Sequence, residues 1–173
     1  MPNDPKHPTH PNTDSVVMPR NDSDNDTTLD PSARHNARRY AIQAMYQWQL
    51  TAAPLKDIEN EFVRYQIDKD KKVELDYFKE LIHGIPENQD ELDRSIRAYI
   101  DRPFNEIDPI ELAVMRLAIY ELIKRPDIPY RVVINEALQL TKKFGSIEGY
   151  KFVNGVLDKV ARKLRATEVG IGK

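Results

Sequence analysis

The stretch DPIELAVMRLAIYELIK, residues 108–124, decides the fold. Ile110, Leu112, Ala113, Val114, Met115, Leu117, Ala118, Ile119 and Leu122 cover nearly every side of a helix at 3.6 residues per turn. A helix that is apolar all round is central, with other helices packed about it. Its start is marked in the sequence. Asp108 can cap, Pro109 fits the first helical position, and Glu111 can reach back to the backbone N–H of the cap. The same stretch is not a membrane span. Leu112–Ile123 is cut by Arg116 and Glu121 and falls short of the ~20 residues required.

Helical stripes flank this element on both sides. Ala37, Tyr40, Ala41, Ala44, Met45 and Trp48 recur at helical spacing, which places Trp48 in the core. Val153, Val156, Leu157, Val160, Ala161 and Leu164 repeat the pattern. Tyr130–Ile134 could be a short strand, but Ile134, Ala137, Leu138 and Thr141 continue on one face and argue for helix. Pro54 can open a helix, and Pro126 and Pro129 separate two more. Gly145 reads as the residue that ends a helix after Phe144. The expected helices are 33–52, 55–67, 73–85, 88–101, 109–125, 129–144 and 148–165. Pro86 makes the third and fourth either one kinked helix or two. The fold class is all-α, a bundle of about seven helices in two packed subbundles that share 109–125.

The chain has 173 residues, which favours one domain. It has no cysteine, which removes disulfides, thiolate metal sites and cysteine nucleophiles and fits a cytoplasmic protein. Residues 1–33 carry six aspartates (Asp4, Asp14, Asp22, Asp24, Asp26, Asp30) against Lys6 and Arg20, a net of −4. The whole chain is −2, so residues 34–173 carry +2. The segment also holds six of the twelve prolines and few large apolar groups. Residues 1–32 are therefore expected to be a disordered acidic tail with no targeting signal, and 166–173 a frayed end. His7 and His10 form an H-x-x-H pair within the tail, without a folded shell to orient a metal site.

No catalytic motif is present: no phosphate-binding glycine loop, no G-x-S-x-G and no H-E-x-x-H. No cofactor or metal is expected. His83 precedes Gly84 at a helix end, where an imidazole meets terminal carbonyls. The acidic residues read as solvated helix faces. The cations divide more sharply. Lys142 and Lys143 end one helix, and Arg162, Lys163 and Arg165 end another, where positive charge complements the macrodipole. Arg34, Arg38 and Arg39 stand at a helix start, where positive charge is disfavoured, so an anionic partner is the expected reason for them. Lys151 poses the same question. Tyr46, Phe144 and Phe152 lie near these charges, and rings flanked by cations stack single-stranded bases. Alternatively Phe144 and Phe152 pack on each other under the loop.

Three segments carry a family resemblance. Residues 37–50, ARRYAIQAMYQWQL, are similar to the first helix of the NusB transcription antitermination family. Residues 116–145, RLAIYELIKRPDIPYRVVINEALQLTKKFG, and residues 151–165, KFVNGVLDKVARKLR, resemble its signature and its last helix. The likeness spans about residues 33–165. It implies an RNA-binding, non-enzymatic helical domain. It further implies binding to boxA, a short single-stranded element of ribosomal RNA leaders, together with the ribosomal protein NusE. The pair would then join RNA polymerase with NusA and NusG. Carried over by position are Arg34, Arg38, Arg39, Tyr46, Lys143, Phe144, Gly145, Lys151 and Phe152, with Glu111 near the RNA and partner surface. The expected RNA-binding set is Arg34, Arg38, Arg39, Tyr46, Lys142, Lys143, Phe144, Lys151 and Phe152. Glu111 and Glu148 are expected on the partner surface, although 147–150 is a poorer match to the family than its flanks.

Two other readings are open. One is a helical protein-interaction module acting in ribosome assembly, with incidental RNA binding. The other is an enzyme, because a related domain is fused to ribosomal RNA methyltransferases, but this chain has no room for a methyltransferase. A self-dimer burying the basic face is compatible with the pattern.

Overall fold

The computed structural model describes residues 30–70 and 72–171, so the tail expectation for 1–29, including His7 and His10, lies outside the described residues. Eight helices follow: α1 (Pro31–Thr51), α2 (Leu55–Phe62), α3 (Leu75–Glu87), α4 (Gln89–Arg97), α5 (Pro109–Lys124), α6 (Tyr130–Phe144), α7 (Ile147–Leu164) and α8 (Ala166–Ile171). Among the described residues there is no strand, and the Tyr130–Ile134 segment is helix.

Several boundaries differ from the sequence reading. α1 starts at Pro31, so residues 30–32 belong to the folded body. The Asp30 side chain accepts from the Ser32 N–H at 2.9 Å and caps the helix. α2 runs into a wide π turn, Val63–Ile67. Pro54 occupies the cap position of α2 rather than its first helical position. α3 passes through Pro86 and breaks at Asn88, whose side chain donates to the Gly84 carbonyl at 2.7 Å. α4 stops at Arg97, and the expected 88–101 helix is shorter because residues 101–103 turn into a single 3-10 turn, Phe104–Glu106. Gly145 ends α6 in an extended conformation, φ −117°, not the left-handed one.

Of the end expected to fray, 166–173, the described part Ala166–Ile171 is helical and is tied to the body through Arg165 and Glu168. Arg165 donates to the carbonyls of Leu122 (2.9 Å), Ile128 (3.0 Å) and Arg125 (3.0 Å), and pairs with Glu168 at 2.7 Å. Glu168 in turn accepts the Tyr130 N–H at 2.8 Å. The C-terminus of α5, the N-terminus of α6 and α8 are thus fastened together by charged groups placed on orphan backbone atoms.

α5 is the central element, packed against α1, α3, α4, α6 and α7. Residues Ala113 through Leu122 of α5 are all buried. α1, α2 and α3 form one subbundle and α4, α6 and α7 the other, with α5 shared between them. Phe78, Ile82, Leu92, Met115, Ile119 and Leu157 lie fully out of solvent between the layers. α1 is antiparallel to α5: Arg38 meets Glu121, and Gln49 donates to the Pro109 carbonyl at 2.8 Å. α7 runs parallel to α5. Its start lies by Glu111, at Gly149, and Arg165 just past its end lies by Leu122. α3 crosses α5 closely. A Cβ on Gly84 would sit 2.5 Å from the Tyr120 ring.

Candidate nucleic-acid interface

The arginines at the start of α1 have internal partners, which corrects the expectation that only an external anion explains them. Arg38 is 3% exposed and forks onto Glu121, Nε–Oε1 2.9 Å and Nη2–Oε2 2.9 Å. The Tyr77 hydroxyl donates to the same carboxylate. Burial, then the Glu121 charge, pushes the Tyr77 phenol far above its ordinary range, so it stays a donor. Arg34 forks onto Glu74 at 3.1 and 3.2 Å and lies 4.4 Å above the Tyr77 ring. Arg39 is 3.6 Å from Asp70 and stacks on Tyr40 at 4.4 Å. His35 and Arg38 share Glu136 of α6, at 2.5 and 3.8 Å. Arg38 is thus buried and paired within the body, and Arg34 and Arg39 are each held by a carboxylate.

The other predicted residues come together elsewhere, at the corner between α6 and α7. Ser146 caps α7 by accepting from the Gly149 N–H at 3.0 Å, which fixes the turn. Lys142 and Lys143 are exposed on the last turn of α6. Lys142 Nζ lies 5.0 Å from the Tyr150 ring and Lys143 Nζ 5.9 Å from the Phe144 ring. On the first turns of α7, Lys151 is 70% exposed and held only loosely by Glu148 at 3.8 Å. Phe152 carries the Arg102 guanidinium 3.9 Å from its centroid. Phe144 and Phe152 are each half-buried against the core, each with its own cation. Arg102, Tyr99, Lys151, Phe152 and Lys159 line an open groove of about 340 Å³.

Arg102, Tyr99, Tyr150 and Lys159 were missed by the sequence reading. The signal available was Tyr99 with Arg102, an aromatic and a cation just before the central helix. The corner does not include Arg34, Arg38 or Arg39. Glu111 and Glu121 stand ten residues apart on α5, roughly 15 Å along its axis, and mark the two ends. Tyr46 is 37% exposed on α1, one turn before Gln49.

Glu111 does not act as the expected capping partner. Asp108 alone accepts from the N–H groups of Ile110 and Glu111, at 2.9 and 3.2 Å. The Glu111 carboxyl instead lies over Gly149, 3.0 to 3.3 Å from where a Cβ would be. Burial, then the Asp108 charge, raises its pKa. Glu148 is exposed beside it in sequence on α7. His83 does not meet helix carbonyls; its Nε2 lies 2.7 Å from Glu59. Trp48 is half-buried and lines a surface groove with Leu112 and Arg116, rather than lying in the core. Among the described residues no cluster of three or more His, Cys, Asp or Glu could hold a metal, and no helix is long and apolar enough to cross a membrane.

The fold is thus an all-α helical bundle whose α6–α7 corner presents solvent-facing cations beside aromatic rings. Comparison with known proteins narrows the class. The NusB family model matches residues 35–162, and the chain belongs to the NusB family. The transcription antitermination protein NusB of Nitrosococcus oceani is 48% identical over 135 residues, 78% of this chain and 89% of that protein. The protein of the same name from Photobacterium profundum is 46% identical over 149 residues, 79% of this chain and 99% of that one. A solved structure of T. maritima NusB has a TM-score of 0.63 at 29% identity, covering 75% of this chain and 90% of that chain.

Proposed function

We propose that the protein is a transcription antitermination factor that binds single-stranded boxA RNA of ribosomal RNA leaders together with NusE. The complex then joins RNA polymerase with NusA and NusG in the cytoplasm. The observation that carries this reading is the α6–α7 corner. Lys142, Lys143, Lys151 and Arg102 stand beside Tyr150, Phe144 and Phe152 at 3.9 to 5.9 Å where stacked. Cations there can neutralise phosphates, and each ring can stack an unstacked base for roughly 1–3 kcal/mol. The curated relatives of that name, at nearly half identity, support the antitermination role. Glu111 and Glu148 are the residues proposed to face NusE, and no chemical step is assigned.

The test is a titration with boxA RNA and a scrambled control, with and without NusE, across a salt series. Preference for boxA, tightened by NusE, supports the reading. Equal weak binding of both RNAs, even with NusE, returns the protein to a helical interaction module.

A further inference from the structure

We infer that a bound RNA strand crosses α7 at its first two turns, with one base seated on the Tyr150 flank and another on the Phe152 flank. The inference rests on the RNA-binding reading above, and adds to it two separate base sites and the path of the strand between them. Its basis is helix geometry. Tyr150 and Phe152 are two residues apart, so they point about 200° from each other around the axis. Gly149 and Val153, both buried, mark the side of α7 that faces the core, which leaves the two rings on opposite flanks.

The surroundings of the two rings are separate. On the α6 flank, Lys142, Gly145, Ser146, Ile147 and Tyr150 line a mainly apolar pocket of about 170 Å³. Lys142 Nζ lies 5.0 Å from the Tyr150 ring, and among the described residues Lys142 makes no ion pair. Ile147, 77% exposed, supplies a second apolar wall for a flat base. On the α4 flank, Phe152 lies in the open groove of about 340 Å³ with Tyr99, Arg102 and Lys159. Arg102 stands 3.9 Å from the centroid of its ring and is paired with exposed Asp101 at 3.2 Å. No residue lines both cavities.

Between the flanks, the outer crest of α7 suits a phosphate. Lys151, one position from each ring, projects there and is held only by exposed Glu148 at 3.8 Å. One turn further the crest is bare at Gly155, where a Cβ would meet nothing within 4 Å. The next turn ends the positive stretch. Asp158 stands nearly in line with Lys151 and pairs with Arg162 at 3.0 Å. A strand laid lengthwise along the crest meets that carboxylate, whereas one that crosses at Lys151 does not. Two bases on opposite flanks of a helix cannot stack on each other, so the crossing selects an unstacked single strand. It also couples the two sites through the strand that joins them. A helix with its side chains is about 10–12 Å across, so a single nucleotide fills one site only.

The test is an NMR titration of the full chain with hexauridylate and with uridine monophosphate, read at the Tyr150 and Phe152 rings. Hexauridylate should shift both rings with one common Kd. Tyr150→Ala should weaken hexauridylate binding, read at Phe152, by about 5- to 150-fold, since one stacked base is lost from a joined pair. The same variant should leave the mononucleotide Kd at Phe152 unchanged, and Tyr150→Phe should keep the parent value for both ligands. An unchanged hexauridylate Kd at Phe152 in Tyr150→Ala, or shifts confined to one ring, refutes the crossing while RNA binding stands. A mononucleotide Kd at Phe152 that weakens in the same variant shows a disturbed corner rather than a joined pair, and the proposal falls. If hexauridylate shifts neither ring, the RNA-binding reading itself fails.

Discussion

Arg38 and Glu121, 83 residues apart, face each other as a doubly hydrogen-bonded pair in the buried seam between α1 and α5. A buried pair of this kind is weak as net stabilisation, but breaking it strands a charge. Arg38→Ala should therefore cost about 3–5 kcal/mol in denaturant unfolding. Its RNA binding, measured where the variant is folded, should keep the salt slope of the parent. A changed slope with unchanged stability would contradict the pairing.

Lys143→Ala and Lys151→Ala should behave in the opposite way. Both side chains are exposed, so unfolding should shift by less than about 0.5 kcal/mol. Each should lower the slope of log K against log salt by about 0.7 if it neutralises one phosphate of a single strand. Phe152→Leu should weaken RNA binding by roughly 1–3 kcal/mol without altering that slope.

Gly84→Ala places a methyl 2.5 Å from the Tyr120 ring, which is itself 7% exposed. The expected cost is about 1–3 kcal/mol, read as a fall in Tm. The double variant G84A/Y120L should recover part of it. Full additivity of the two changes would show that the close α3–α5 crossing is not the cause.

The Glu111 carboxyl is raised because burial and then Asp108 oppose its charge. An acid whose folded pKa is raised binds its proton more tightly when folded. Stability is therefore lost as pH rises from the unfolded carboxylate range through the folded value. Glu111→Gln should flatten that loss and raise Tm at pH 7 by about one or two degrees. The same change should weaken NusE binding if a partner cation meets this group. The carboxyl of Glu168 shifts the other way. The Tyr130 N–H and then Arg165 lower its pKa, so its contribution is present above the ordinary carboxylate range and lost on acidification through the lowered value. Loss of helix at Ala166–Ile171 on acidification below the ordinary carboxylate range, together with faster amide exchange at Tyr130, checks this.

The two flanking stripes were legible because burial of one face imposes a 3.6-residue period, and the central helix because burial on every side leaves 109–124 apolar nearly all round. Asp108 was legible as a cap because capping is local. The start of α1 misled, since helix electrostatics sees only neighbours in sequence. Glu74 and Glu121 stand 40 and 83 residues from the arginines they hold. α8 was invisible for the same reason: Ala166–Ile171 is short and weakly patterned, and its order comes from Arg165 reaching α5. At the α6–α7 corner the lysines and phenylalanines were legible, whereas Arg102 and Tyr99 were not, because they reach Phe152 and its groove across 50 residues of chain.

The Arg165 fork has a consequence for synthesis on the ribosome. Every carbonyl it satisfies at the end of α5 was translated some forty residues earlier. Until residues 165–168 have left the exit tunnel, the Leu122, Arg125 and Ile128 carbonyls lack the Arg165 donor and the Tyr130 N–H lacks its Glu168 acceptor. Domains often fold from the N-terminus as they emerge. Here the fastening of the α5 and α6 ends instead waits for Arg165 and Glu168, so it follows the synthesis of all seven helices that make the core.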